Sequence, residues 1–166
     1  MKRYTLIPAL LLLLCAVAAA QDLKPALLST PELKQIVPNA YFFRGQSATV
    51  QIRNASGLRM PGGKVVFAAL VDTSGYAQDV AEKYQGLFVT EVKIAIGDKE
   101  VAPGAYGFGF SNDGKFILMD VGANDLLAAA TTVDEQLLHP VPLKIQDDGK
   151  GLRFYAGRKW VALKVQ

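Results

Sequence analysis

Residues 64–71 read Lys-Val-Val-Phe-Ala-Ala-Leu-Val, an almost unbroken apolar run. Turn chemistry closes it on both sides, Pro61-Gly62-Gly63 before and Asp72-Thr73-Ser74-Gly75 after. A short run of this kind, rich in β-branched and aromatic residues, reads as a strand with no polar face. Such a strand is central in its sheet and is expected to be covered on both faces.

The flanking sequence supplies its partners. Residues 47–53 alternate, with Ala48, Val50 and Ile52 on one face and Thr49, Gln51 and Arg53 on the other, the period of a half-buried strand. Asn54-Ala55-Ser56-Gly57 reads as a turn. Further strands are expected at 87–96, 105–111, 115–121, 141–146, 151–155 and 159–165, separated by Gly97-Asp98-Lys99, Asn112-Asp113-Gly114 and Asp147-Asp148-Gly149. The period changes at 76–85, where Tyr76, Ala77, Val80, Ala81 and Tyr84 form a helical stripe ending at Gly86. Thr30-Pro31-Glu32 predicts a helix over 31–37, stopped by Pro38. Asn124 or Asp125 is placed to cap another over 124–130. The expected fold is mainly β: an antiparallel β-sandwich or partly open barrel with two or three short helices. Residues 21–40 form a lead-in and 41–166 a single β-rich domain.

The N-terminus speaks to compartment. Lys2 and Arg3 precede an apolar run, and Ala18-Ala19-Ala20 precedes Gln21. This order predicts a signal peptide over 1–20, cleaved after Ala20, and a periplasmic or secreted bacterial protein. The run is shorter than the roughly 20 residues a spanning helix needs and contains Pro8, so no integral membrane segment is expected after cleavage. Bulky Leu14 does not suit lipid attachment at Cys15. Cys15 is the one cysteine, so the cleaved chain has neither disulfide nor thiol chemistry. Without Lys2 and Arg3, 16 basic residues face 15 acidic ones, a net charge of +1 that predicts no nucleic-acid partner. The basic stretch 150–164 and the mainly acidic stretch 113–148 are expected to pair as solvated strand faces.

Catalytic signatures are sparse. One histidine, His139 beside Pro140, does not make a multi-histidine metal site. Val71-Asp72-Thr73-Ser74-Gly75 departs from an Asp-Thr-Gly protease loop by the inserted Ser74, and no second copy exists. Gly104-Ala105-Tyr106-Gly107-Phe108-Gly109 lacks the Gly-Lys-Ser/Thr of a phosphate cradle. Asn54-Ala55-Ser56 fits the glycosylation triplet, but a turn explains it in a bacterial setting. Asp120, Asn124 and Asp125 match no calcium-loop spacing. No catalytic residue, metal or cofactor is therefore assigned. The candidate ligand-binding surface is the aromatic–basic set Tyr106, Arg153, Tyr155, Arg158 and Trp160, where stacking would hold a ligand.

The stretch Val92-Lys93-Ile94-Ala95-Ile96-Gly97-Asp98-Lys99-Glu100-Val101-Ala102-Pro103-Gly104-Ala105-Tyr106-Gly107-Phe108 resembles the hairpin of an uncharacterised exported bacterial β-sandwich family, where a Pro-x-Gly-x-Tyr step leads into a further strand. The closing strands near 151–155 and 160–163 are similar too. The resemblance covers about residues 87–165. It implies a sandwich and export, and implies no activity or site residue.

These readings predict a non-enzymatic binding or envelope-interaction module whose partner is an envelope protein, a glycan or a small molecule. Two alternatives stand beside it. One is a carrier of a small apolar ligand, lodged where the glycines of Tyr106-Gly107-Phe108-Gly109-Phe110 leave room. The other is a hydrolase using Asp72, Asp120 or Asp125 as a base, which requires two of them to converge.

Overall fold

The structure, a computed structural model, describes residues 24–166. The expected signal peptide lies outside the described residues. The fold is mainly β and antiparallel. The larger sheet is built from β1 (Ala26–Leu27), β3 (Gln46–Arg59), β4 (Val65–Val71), β5 (Gly86–Thr90), β8 (Gly104–Phe110), β9 (Lys115–Met119) and β10 (Asp125–Ala130), in that spatial order, with β2 (Ala40–Phe43) also on β3. The smaller sheet runs β12 (Lys144–Asp147), β13 (Leu152–Ala156), β14 (Lys159–Val165), β6 (Ile94–Ile96) and β7 (Lys99–Val101), with β11 (Thr132–Val133) also on β14.

The inner faces of the two sheets make one core. Phe88, Phe108 and Phe116 of the larger sheet meet Phe154, Ile145 and Ile96 of the smaller, all of them fully or almost fully buried. The outer face of the larger sheet has its own core, in which Val65, Phe67, Ala69 and Val71 pack under Leu28, Leu33, Phe43, Val80 and Tyr84. Strand β4 is thus covered on both faces, as its unbroken apolar run requires. Phe43 and Tyr84 stack with ring centroids 3.8 Å apart, and Tyr76 meets Tyr84 edge-on.

The first helix, α1 (Thr30–Ile36), begins one residue before the expected start, with Ser29 as its N-cap. The Glu32 carboxylate accepts from the Ser29 hydroxyl at 2.6 Å and the Ser29 N–H at 2.8 Å, and pairs with Arg59 at 2.9 Å. These contacts lower its pKa from 4.5 to about 2, the Ser29 hydrogen bonds first and Arg59 after them. A carboxyl depressed on folding stabilises above its unfolded pKa. Its contribution is therefore complete above about 4.5 and disappears as pH falls to about 2. A carbon-detected NMR titration should place the Glu32 midpoint near 2, and a midpoint near the ordinary value of about 4.3 would show the cap open in solution.

Four expectations are corrected. Residues 54–57 are not a turn but lie inside β3. Three extra residues bulge between Gln51 and Ala55, and the chain then returns to register with β4. Small side chains permit this. A Cβ on Gly57 would sit 2.6 Å from Phe67 Cβ, and Ser56 Oγ accepts the Ile145 N–H at 2.8 Å, stitching β3 to β12. The single strand expected at 87–96 breaks at 91–93 and changes sheet. Thr90 Oγ1 turns back on the chain there, donating to Val92 O at 2.6 Å, and such corners join packed sheets. The helix expected at 76–85 shrinks to one turn, α2 (Gln78–Ala81), because Gln85 is drawn into strand-like pairing with Phe108 O and Val71 N–H. Residues 124–130 form β10 rather than a helix. The propensity of Leu126-Leu127-Ala128-Ala129-Ala130 yields to pairing with β9, which buries Leu127 in the sandwich core.

Candidate functional site

The β13–β14 hairpin positions most of the expected ligand-binding set. Alternation sends Leu152, Phe154, Val161 and Leu163 into the core and leaves Arg153, Tyr155, Trp160 and Ala162 on the outer face. Tyr155 lies directly across from Trp160, and Arg153 across from Ala162, so Arg153 and Trp160 are diagonal neighbours. The Arg153 guanidinium carbon sits 4.2 Å from the Trp160 ring centroid, within cation–π range. The Tyr155 and Trp160 rings are 6.2 Å apart and tilted by 36°.

A chain of polar contacts holds this stack. Arg153 Nη2 pairs with Asp148 at 2.7 Å, and Nη1 donates to Tyr155 Oη at 3.3 Å. Tyr155 in turn donates to Asp134 Oδ2 at 3.3 Å. Asp148 also accepts the Lys150 N–H, and that bond first, then Arg153, holds its carboxyl below the usual carboxylate range. Among the described residues Arg153–Asp148 is the one ion pair between the basic 150–164 stretch and the acidic 113–148 stretch, so their expected pairing is limited to this contact. Arg158 plays a different part. Its Nε donates to Leu137 O at 3.2 Å, and its carbonyl accepts the Asp134 N–H at 2.9 Å, tying the 134–141 segment to the hairpin. Tyr155 is consequently buried, Arg158 is exposed but turned to the 134–141 segment, and half-buried Arg153 and Trp160 form the accessible stacked pair. Tyr106 is not among them. It lies on β8 of the larger sheet beside the core, and its hydroxyl donates to Ala102 O at 2.8 Å.

A groove of about 400 Å³ borders Trp160. The same edge of β14 pairs with β11 at Lys159 and Trp160 and with β6 at Leu163–Val165. Val161 and Ala162 fall in the fork between them, and Gly97, Asp98 and Ala128–Ala130 close the far side. These latter residues carried no signal in the sequence, because the alanines look helical and Gly97-Asp98 looks like any turn.

The three candidate carboxylates serve local roles. Asp72 Oδ1 accepts the Ser74 N–H at 3.0 Å. Asp120 Oδ1 accepts the Gly122 and Asn124 N–H groups at 2.8 and 2.9 Å, and its Oδ2 takes the Asn124 side-chain amide. These bonds hold both carboxyls below the usual range, the Asp72 one by Ser74 and the Asp120 one chiefly by Asn124, opposite to the raised pKa that a carboxylate base working near neutral pH needs. Asp125 pairs with Lys83 at 3.3 Å. Exposed His139 lies in the 134–141 segment. Among the described residues no three His, Cys, Asp or Glu side chains cluster as metal ligands.

The room expected in the aromatic–glycine strand is filled. A Cβ on Gly107 would overlap the Phe43 ring, and one on Gly109 would overlap the Lys83 carbonyl oxygen. The glycines of β8 are sites of close approach, not the walls of a cavity.

No protein-family model, curated protein or solved structure matches this chain.

Proposed function

We propose that the protein is an exported bacterial binding module without catalytic chemistry, and that it takes a glycan of the cell envelope on the face formed by Trp160 and Arg153. The observation that carries this reading is the fixed stack of Arg153 on Trp160, anchored through Asp148, Tyr155 and Asp134 and bordered by an open groove. A half-buried indole held in one orientation offers a flat apolar surface at little entropic cost, which suits the face of a sugar ring.

Trp160 is the one tryptophan of the chain, so its emission reports on this face alone. Titration with soluble peptidoglycan fragments should give a saturable change in intensity or wavelength. Arg153→Met, which keeps the stem and removes the charge over the ring, should weaken binding by about 2- to 30-fold, the range of a cation–π contact. An emission unchanged by every envelope glycan fragment tested would overturn the proposal.

A further inference from the structure

Two turns carrying ordinary residues in left-handed backbone meet at one small pocket. Among the described residues, Arg44 and Ala123 are the two non-glycine positions with positive φ, at 47° and 68°. The β2–β3 hairpin closes on the pair Phe43–Gln46, so Arg44-Gly45 is a two-residue loop. With Gly45 at 83°, both central residues have positive φ. This is the type I′ turn, whose first position favours Asn, Asp or Gly. In the β9–β10 loop the left-handed position falls on Ala123, one residue after Gly122. The two turns are bonded to each other, since Arg44 N–H donates to Val121 O at 2.8 Å. Backbone outliers held in place by their surroundings collect at functional sites.

Both outliers line a pocket of about 240 Å³, with Asp79, Val80, Lys83 and Met119. Val80 and Met119 give it a buried apolar floor, and Ala123 packs on the same cluster. Arg44 and Lys83 supply two cations whose partners hold them loosely. Arg44–Asp79 at 3.5 Å and Lys83–Asp125 at 3.3 Å are the longest ion pairs among the described residues, and the others span 2.6–2.9 Å. All four side chains are about half exposed or more, and ion pairs of that kind hold their members weakly.

We infer that this pocket binds a small anion, a carboxylate or phosphate group held between Arg44 and Lys83, with the apolar remainder of its bearer against Val80, Met119 and Ala123. Arginine serves this chemistry because its planar donors match both anions. The inference gives a role to an arginine that stands where the turn itself prefers asparagine.

The test is an amide NMR titration of the cleaved chain with sodium phosphate and, separately, sodium acetate, at ionic strength held constant with sodium chloride. Saturable shifts are expected at residues 44–45, 79–83 and 122–124. Saturation by phosphate alone or by acetate alone identifies which group the pocket prefers. Arg44→Asn suits the type I′ turn, so its melting temperature should equal or exceed the parent's while its anion affinity falls about tenfold or more, the loss of one charge-assisted hydrogen bond. Lys83→Gln should weaken binding likewise, with the turn untouched. Shifts that never saturate, or that persist unchanged in both variants, would show general screening and overturn the site.

Discussion

Phe154→Ala is expected to destabilise the protein by about 3–5 kcal/mol, the cost of deleting a fully buried aromatic ring. Phe154 has no exposed surface. Its ring is the one contribution of the smaller sheet to a five-membered aromatic cluster. It lies 5.7 Å from Phe88, 5.0 Å from Phe108, 5.4 Å from Phe110 and 5.7 Å from Phe116, counted between centroids. Those four partners sit on β5, β8 and β9, so one side chain touches three strands of the opposite sheet. Truncation leaves a hole that rigid neighbours cannot close. Urea unfolding followed by circular dichroism measures the loss, and Phe154→Leu should recover most of it. A loss under about 1 kcal/mol would mean that the sheets are held together elsewhere.

Gly109→Ala is expected to be at least as damaging, by more than about 3 kcal/mol, although it adds a single carbon. The new Cβ would overlap the Lys83 carbonyl oxygen and lie 2.7 Å from its carbon. Backbone cannot rotate away as a side chain can, so the 82–85 segment must lift off β8. That movement would also strain the Gln85 side chain, which bonds both the N–H and the carbonyl of Phe110. Gly149→Ala is the contrast. Nothing lies within 4 Å of its Cβ, so only its φ of +80° opposes the change, at about 1–2 kcal/mol. Thermal unfolding should therefore rank Gly109→Ala far below Gly149→Ala. The reverse order would show that the segment before β5 is not seated on β8 in solution.

The fold class was legible because strand alternation and turn chemistry are local signals. The covering of β4 on both faces followed from its composition alone. The failures have one cause. Where tertiary pairing competes with local preference, pairing prevails. Alanine-rich 124–130 became a strand because β9 offered a ladder and Leu127 a place in the core. Asn54-Ala55-Ser56-Gly57 stayed extended because its small residues admit Phe67 and Leu28. The site divides in the same way. Arg153, Tyr155 and Trp160 were legible together because one hairpin carries them on one face. Tyr106 was not separable from them, because alternation says which face a residue takes and not which sheet its strand joins. The left-handed backbone at Arg44 left no trace in the sequence, since arginine gives no hint of positive φ.

Strand β14 comes after every other described element and stands in the middle of its sheet, with β13 on one side and β6 and β11 on the other. Ile94 waits for Val165 as its ladder partner. A chain synthesised from its N-terminus can therefore assemble the larger sheet while the smaller one still lacks its central strand. During that interval the cover over Phe88, Phe108 and Phe116 is incomplete, because Val161 and Leu163 have not joined Ile145 and Phe154 in the core. Closure is a late event between distant segments, the kind of step that makes β proteins slow to fold and prone to association on the way. The moment of greatest exposure falls just before residues 159–165 arrive, and the speed with which they dock sets how long the nascent domain stays sticky.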